Sequence, residues 1–131
     1  MEMLSFSIRY IVNDVPDAIN FYTKTFGFKV EMNPNEYFAI LSLDGLRLML
    51  SDPRGAGGGA RAMLDKSKPE PGGWNRIQIR VKDIEPVIAE LKKSEVHFRS
   101  DLITGIGAKQ IIIEDPSGNP IEINELLKTN D

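Results

Sequence analysis

The stretch RIQIRVKDIEPVIAEL, residues 76–91, decides the fold because the chain has already used its pattern once, as SIRYIVNDVPDAINFY at residues 7–22. In both copies an alternating apolar run passes through an aspartate into a segment with apolar residues at helical spacing, the order strand, cap, helix. The spacing between the copies is constant, since 76 − 7 and 83 − 14 both give 69. Asp14 and Asp83 stand where a short carboxylate accepts from the free amides of a first helical turn. Pro16 and Pro86 suit early helical positions, where no amide hydrogen is needed. Val15, Ile19 and Tyr22, and in the second copy Ile84, Ile88 and Leu91, give each helix one apolar stripe to bury.

Working outward, strands are expected at 37–43 and 46–50 after the first helix, and at 109–114 and 120–124 after the second. Asp44-Gly45 and the PSGN of residues 116–119 supply turn chemistry between them. Each half therefore reads as a strand, a helix and about three further strands. The expected fold is α+β: one domain over residues 1–131, with two paired βαβββ modules, about 3–51 and about 74–127, forming a curved mixed sheet. Between them lies a Gly- and Pro-rich connector, residues 52–73, which reads as a mobile segment of the kind that often serves as a lid. Its GAGGGA run, residues 55–60, fits the letters of a dinucleotide fingerprint. No periodic helix follows it and no alternation of strands and helices surrounds it, so it reads as flexible linker.

With 131 residues and 41% apolar composition the chain has enough material for a core. A net charge of −3 with scattered Lys and Arg gives no field that would recruit nucleic acid or an anionic membrane. The absence of cysteine excludes disulfides, thiolate metal sites and cysteine nucleophiles. The opening MEMLSFSIRYIV carries neither a basic leader nor a long apolar stretch, so a cytoplasmic location, away from membranes, is expected.

Strand alternation sorts the side chains into two faces. Ile77, Ile79 and Val81, like Ile8, Tyr10 and Val12, are expected to meet the helices. Ser7, Arg9 and Ile11, and Arg76, Gln78 and Arg80, then point the other way, as do Met49 and Glu122 on later strands. Four of these hold matched places: Ser7 with Arg76 through the constant offset, and Met49 with Glu122 by aligning RLML with PIEI. A polar sheet face is ordinarily solvated. Duplication favours a cleft instead, because two curved half-sheets facing each other bring polar groups together. Arg47 and Arg80 are assigned to a rim or a subunit interface.

The carriers IRYIVNDVPDAINFYTKTFGF, IQIRVKDIEPVIAEL and EDPSGNPIEI resemble the vicinal oxygen chelate superfamily of glyoxalases, bleomycin resistance proteins and dioxygenases. The resemblance covers nearly the whole chain. It implies paired modules forming a cup, often completed in a homodimer, and in metal-dependent members His or Glu ligands at positions that here carry Ser7, Met49, Arg76 and Glu122. Only Glu122 matches. Met49 and a cationic Arg76 oppose a dication, so no cofactor is expected, a divalent metal being the lesser alternative. His97, the chain's one histidine, lies outside these positions and reads as a strand-edge residue.

The reading that follows is a metal-independent protein that binds a small anionic or acceptor-rich molecule through Ser7, Arg9, Met49, Arg76, Gln78 and Glu122, with Trp74 and Tyr37 as stacking surfaces. The alternative is a lyase, isomerase or dioxygenase with an atypical metal site or with Glu122 as the catalytic general base. A third is a partner-binding module whose connector docks another protein.

Overall fold

The computed structural model describes residues 1–127, and each repeat of the sequence builds the same unit in it. The first runs β1 (Ile8–Ile11), α1 (Val15–Phe26), β2 (Lys29–Asn35), β3 (Phe38–Leu43) and β4 (Leu46–Ser51). The second runs β5 (Ile77–Arg80), α2 (Ile84–Lys93), β6 (His97–Phe98), β7 (Ile103–Thr104), β8 (Ala108–Glu114) and β9 (Pro120–Leu126). The order in the first sheet is β1-β4-β3-β2, with β1 parallel to β4 and the rest antiparallel. The second repeats it as β5-β9-β8-β6, and β7 also pairs β8, so the last position is shared by two short strands. This is the α+β, twofold βαβββ plan. The chain divides into two compact units between Gly72 and Gly73.

The registers confirm the matched positions. Arg9 lies opposite Met49 on the parallel β1–β4 pair, and Gln78 lies opposite Glu122 on β5–β9. Met49 and Glu122 are therefore equivalent residues of the two units. The β3–β4 hairpin turns on two residues, Asp44 (φ 46°) and Gly45 (φ 86°), the left-handed pair that matches the twist of the flanking strands. The β8–β9 turn is tied by Asp115, whose buried carboxylate accepts from the amides of Ser117 and Asn119, each at 2.9 Å.

Both helices place their stripe on their own sheet, slightly rotated from expectation. Val15, Ala18 and Tyr22 are the buried residues of α1, with Ile19 only half-buried. In α2 they are Ile84 and Leu91, with Ile88 half-buried. Ile8 departs from its expected burial and is exposed, being on the edge strand β1, whereas Tyr10 and Val12 are buried. No helix among the described residues is long and apolar enough to cross a membrane.

The two helix starts differ. Asp14 caps α1 as expected, accepting from the Asp17 amide at 2.8 Å. Asp83 makes no side-chain cap; the Ile84 amide donates instead to Glu125 Oε1 on β9, at 2.9 Å. A cap contributes about 1 kcal/mol. In urea denaturation, Asp14→Ala and Glu125→Ala are expected to lose about that much each, and Asp83→Ala no more than a few tenths.

Candidate functional site

The predicted site residues fall into two clusters, one in each unit. In the second unit the side chain of Arg76, just before β5, reaches Glu122 on β9: Nε and Nη2 both donate to Oε1, at 3.0 and 2.8 Å. Gln78 Nε2 donates to the other oxygen, Oε2. A third Arg76 nitrogen donates to the Trp74 carbonyl at 3.2 Å. The Glu122 side chain is 9% exposed and that of Arg76 26%. This carboxylate is thus fixed by a charged and a neutral donor, the arrangement that stabilises a buried anion. The face that carries it is solvated only in part: Asn124, two residues on, is buried as well, whereas Gln78 and Arg80 on β5 are exposed.

Trp74 is largely exposed, with the Arg99 guanidinium 4.9 Å from its ring centroid. His97 lies on the edge strand β6, exposed, with Nε2 3.1 Å from Glu114 Oε1. That is the strand-edge role expected of it.

In the first unit Arg9 and Met49 touch, Nη2 lying 3.7 Å from Sδ, while Ser7 is exposed just ahead of β1. Arg9 also borders a pocket of about 320 Å³ that the sequence did not disclose. Its walls come from Asn35, Tyr37 and Phe38 around the start of β3, Ser51 and Asp52 at the end of β4, and residues 55–60. The GAGGGA run is therefore a pocket wall and not a free linker. A Cβ on Gly55 would lie 2.6 Å from Tyr37 Cβ, and one on Gly59 2.7 Å from Arg9 Cζ. Bare backbone is what allows the approach.

The charges around this pocket are unequally matched. Asp52 is bound by its neighbour Arg54, whose Nη2 donates at 2.7 Å and whose Nε donates at 3.1 Å to each carboxylate oxygen. That guanidinium, against the opposing effect of burial, holds the Asp52 carboxyl below its ordinary pKa. Arg54 itself extends over the Tyr37 ring, 5.9 Å from the centroid. The Tyr37 phenol is raised above its usual pKa, first through its hydrogen bond with the Glu36 carboxylate. Ser51 is buried, and its hydroxyl has no hydrogen-bond partner among the described residues.

Of the residues that line this pocket, Arg9 and Tyr37 are among the candidates read from the sequence, whereas Ser51, Asp52 and the glycine wall are not. The two close-packed glycines were a usable signal, obscured because linkers share their composition.

A strand–helix–strand unit written twice, with its polar positions in register, defines a class of protein. The chain belongs to the glyoxalase/bleomycin resistance protein/dioxygenase superfamily, whose model matches residues 6–123. Solved structures agree in fold. A lactoylglutathione lyase from Agrobacterium tumefaciens superposes with a TM-score of 0.72 at 18% identity, over 95% of each chain. A virulence protein from Salmonella typhimurium gives 0.73 at 20% identity, over 97% of this chain and 100% of its own. A glyoxalase/bleomycin resistance protein/dioxygenase from Nocardioides gives 0.73 at 19%, over 100% and 88%. No curated protein shows significant similarity to the sequence.

The metal that the family resemblance implies can be tested against these side chains. Of Ser7, Met49, Arg76 and Glu122, only Glu122 is an anionic oxygen donor, and both its oxygens already accept from Arg76 and Gln78. Among the described residues no three His, Cys, Asp or Glu side chains converge. A dication needs several hard donors and tolerates a guanidinium poorly at contact distance, so this donor set does not fit one.

Proposed function

We propose that the protein is a metal-independent binding protein for a small anionic or acceptor-rich molecule. The observation that carries this reading is the state of Glu122. At the one family ligand position that retains a suitable donor, the carboxylate is neutralised by Arg76 and held by Gln78. A general base needs reach to a substrate proton and a lone pair free to take it. Here three of about four acceptor sites are taken and the side chain is 9% exposed, which disfavours the lyase, isomerase and dioxygenase alternatives even though one structural relative is named a lactoylglutathione lyase. The binding side of the proposal draws on the partly enclosed pocket beside Arg9, at the small end of the range for ligand sites. Ser7, Met49, Arg76 and Gln78 belong to the proposal as flanking residues. A homodimer, the assembly by which this fold often completes its cup, and a cytoplasmic location complete it.

Elemental analysis of protein purified without added metal or chelator, paired with a divalent-metal titration followed by melting temperature, tests the reading. The expected result is substoichiometric metal and no shift. A site filled at 100 times its Kd would add about 2.7 kcal/mol. Stoichiometric metal with an upward shift of that size overturns the proposal in favour of a metalloenzyme.

A further inference from the structure

The pocket of the first unit has a cation without a counter-ion. Arg9 forms no ion pair among the described residues, and its one side-chain hydrogen bond is to Met49 Sδ, a weak acceptor. The pocket's own carboxylate does not serve it, because Asp52, with a side chain only 1% exposed, is spent on Arg54. Ser51 also borders the pocket, but its hydroxyl is closed off from it, which leaves Arg9 as the polar group open to a ligand. Tyr37 and Phe38 are the aromatic part of the lining, beside Asn35 and the small residues 55–60. Gly59 leaves no side chain between the backbone wall and the Arg9 guanidinium.

Resting on the binding-protein reading, we infer that the ligand is a small aromatic carboxylate, bound in this pocket with its acid group on Arg9 and its ring beside Tyr37 and Phe38. The volume of about 320 Å³ accommodates one ring with short substituents and is small for a nucleotide or a peptide. Charge-assisted contact with a guanidinium fixes the carboxylate, and the ring gains by leaving water against two aromatic side chains. Arg9 sets specificity in this scheme, since a neutral ligand of the same shape forfeits the charged contact.

The test is an NMR titration of the full chain with benzoate and with benzamide, its neutral isostere. Benzoate is expected to bind at least about tenfold more tightly, with amide shifts concentrated at Ser51 and residues 55–60. Arg9→Gln, a change at an exposed side chain, is expected to erase the preference while leaving the melting temperature in place. Equal affinity for the two probes, no benzoate binding up to about 10 mM, or a preference that survives Arg9→Gln overturns the inference. A preference lost in Arg76→Gln instead would sink this placement and leave the binding-protein reading standing. Stoichiometric metal in the purified protein would sink that reading too.

Discussion

Tyr22→Ala is expected to lower the free energy of unfolding by about 3–5 kcal/mol, the cost of emptying a large aromatic site in a core. Tyr22 is 0% exposed and is the hub of the first unit's aromatic cluster. Its ring centroid lies 5.1 Å from that of Phe21, 5.6 Å from Phe28, 6.3 Å from Phe26 and 6.5 Å from Tyr10. Three of these pairs are edge-on, the geometry that aromatic quadrupoles favour. The same residue helps to end its helix. Gly27 turns the chain at φ 79°, and the Phe28 amide then donates back to the Tyr22 carbonyl at 3.2 Å while the two rings meet. Truncation removes the ring that those neighbours are built around, and the backbone on either side is too well tied to collapse into the gap. Since whole domains are stable by only about 5–15 kcal/mol, a loss of this size brings the chain close to unfolding. Tyr22→Phe keeps the ring and is expected to cost no more than about 1.5 kcal/mol. Urea denaturation checks both, and a Tyr22→Ala loss below about 1.5 kcal/mol would show that the cluster repacks.

The fold was legible because its determinants are local and repeated. The aspartate, the early proline and the apolar spacing occur twice at one offset, and a duplicated pattern is hard to produce by accident. The equivalence of Met49 and Glu122 was legible for the same reason, and the strand registers reproduce it. What escaped was decided by contacts distant in sequence. Asp83 has the same sequence context as Asp14, yet the start of α2 is capped from β9 by Glu125, 41 residues on. Alternation put Glu122 on a polar face but did not say which residues of that face are buried: Glu122 and Asn124 are, and Gln78 and Arg80 are not. The glycine run was misread because glycine permits both a loose linker and a close approach of backbone to side chain. Only the atoms facing Gly55 and Gly59, from Tyr37 and Arg9, separate the two cases.

Removing the carboxylate of Glu122 tests whether this residue is a structural partner or a reactive group. Glu122→Ala is expected to cost about 2–4 kcal/mol, somewhat below the figure for a fully buried pair because the Arg76 side chain is 26% exposed. The variant would leave the Arg76 guanidinium with the Trp74 carbonyl and without its anion, and would leave Gln78 without the acceptor it faces. The loss therefore reflects stranded donors more than the strength of the pair itself. Glu122→Leu combined with Arg76→Met separates these contributions, since removing both partners in favour of apolar side chains of similar bulk is often neutral. The double variant is expected to recover most of the stability, with a favourable coupling of about 1–3 kcal/mol in the cycle. Glu122→Gln retains one acceptor oxygen and should fall between wild type and Glu122→Ala. A residue held for chemistry behaves differently: where a carboxylate sits strained or desolvated for the sake of a reaction, its removal leaves stability unchanged or raises it. A Glu122→Ala protein as stable as wild type would thus return Glu122 to the reactive groups, and a loss of the expected size, recovered in the double variant, identifies it as the buried counter-ion of Arg76.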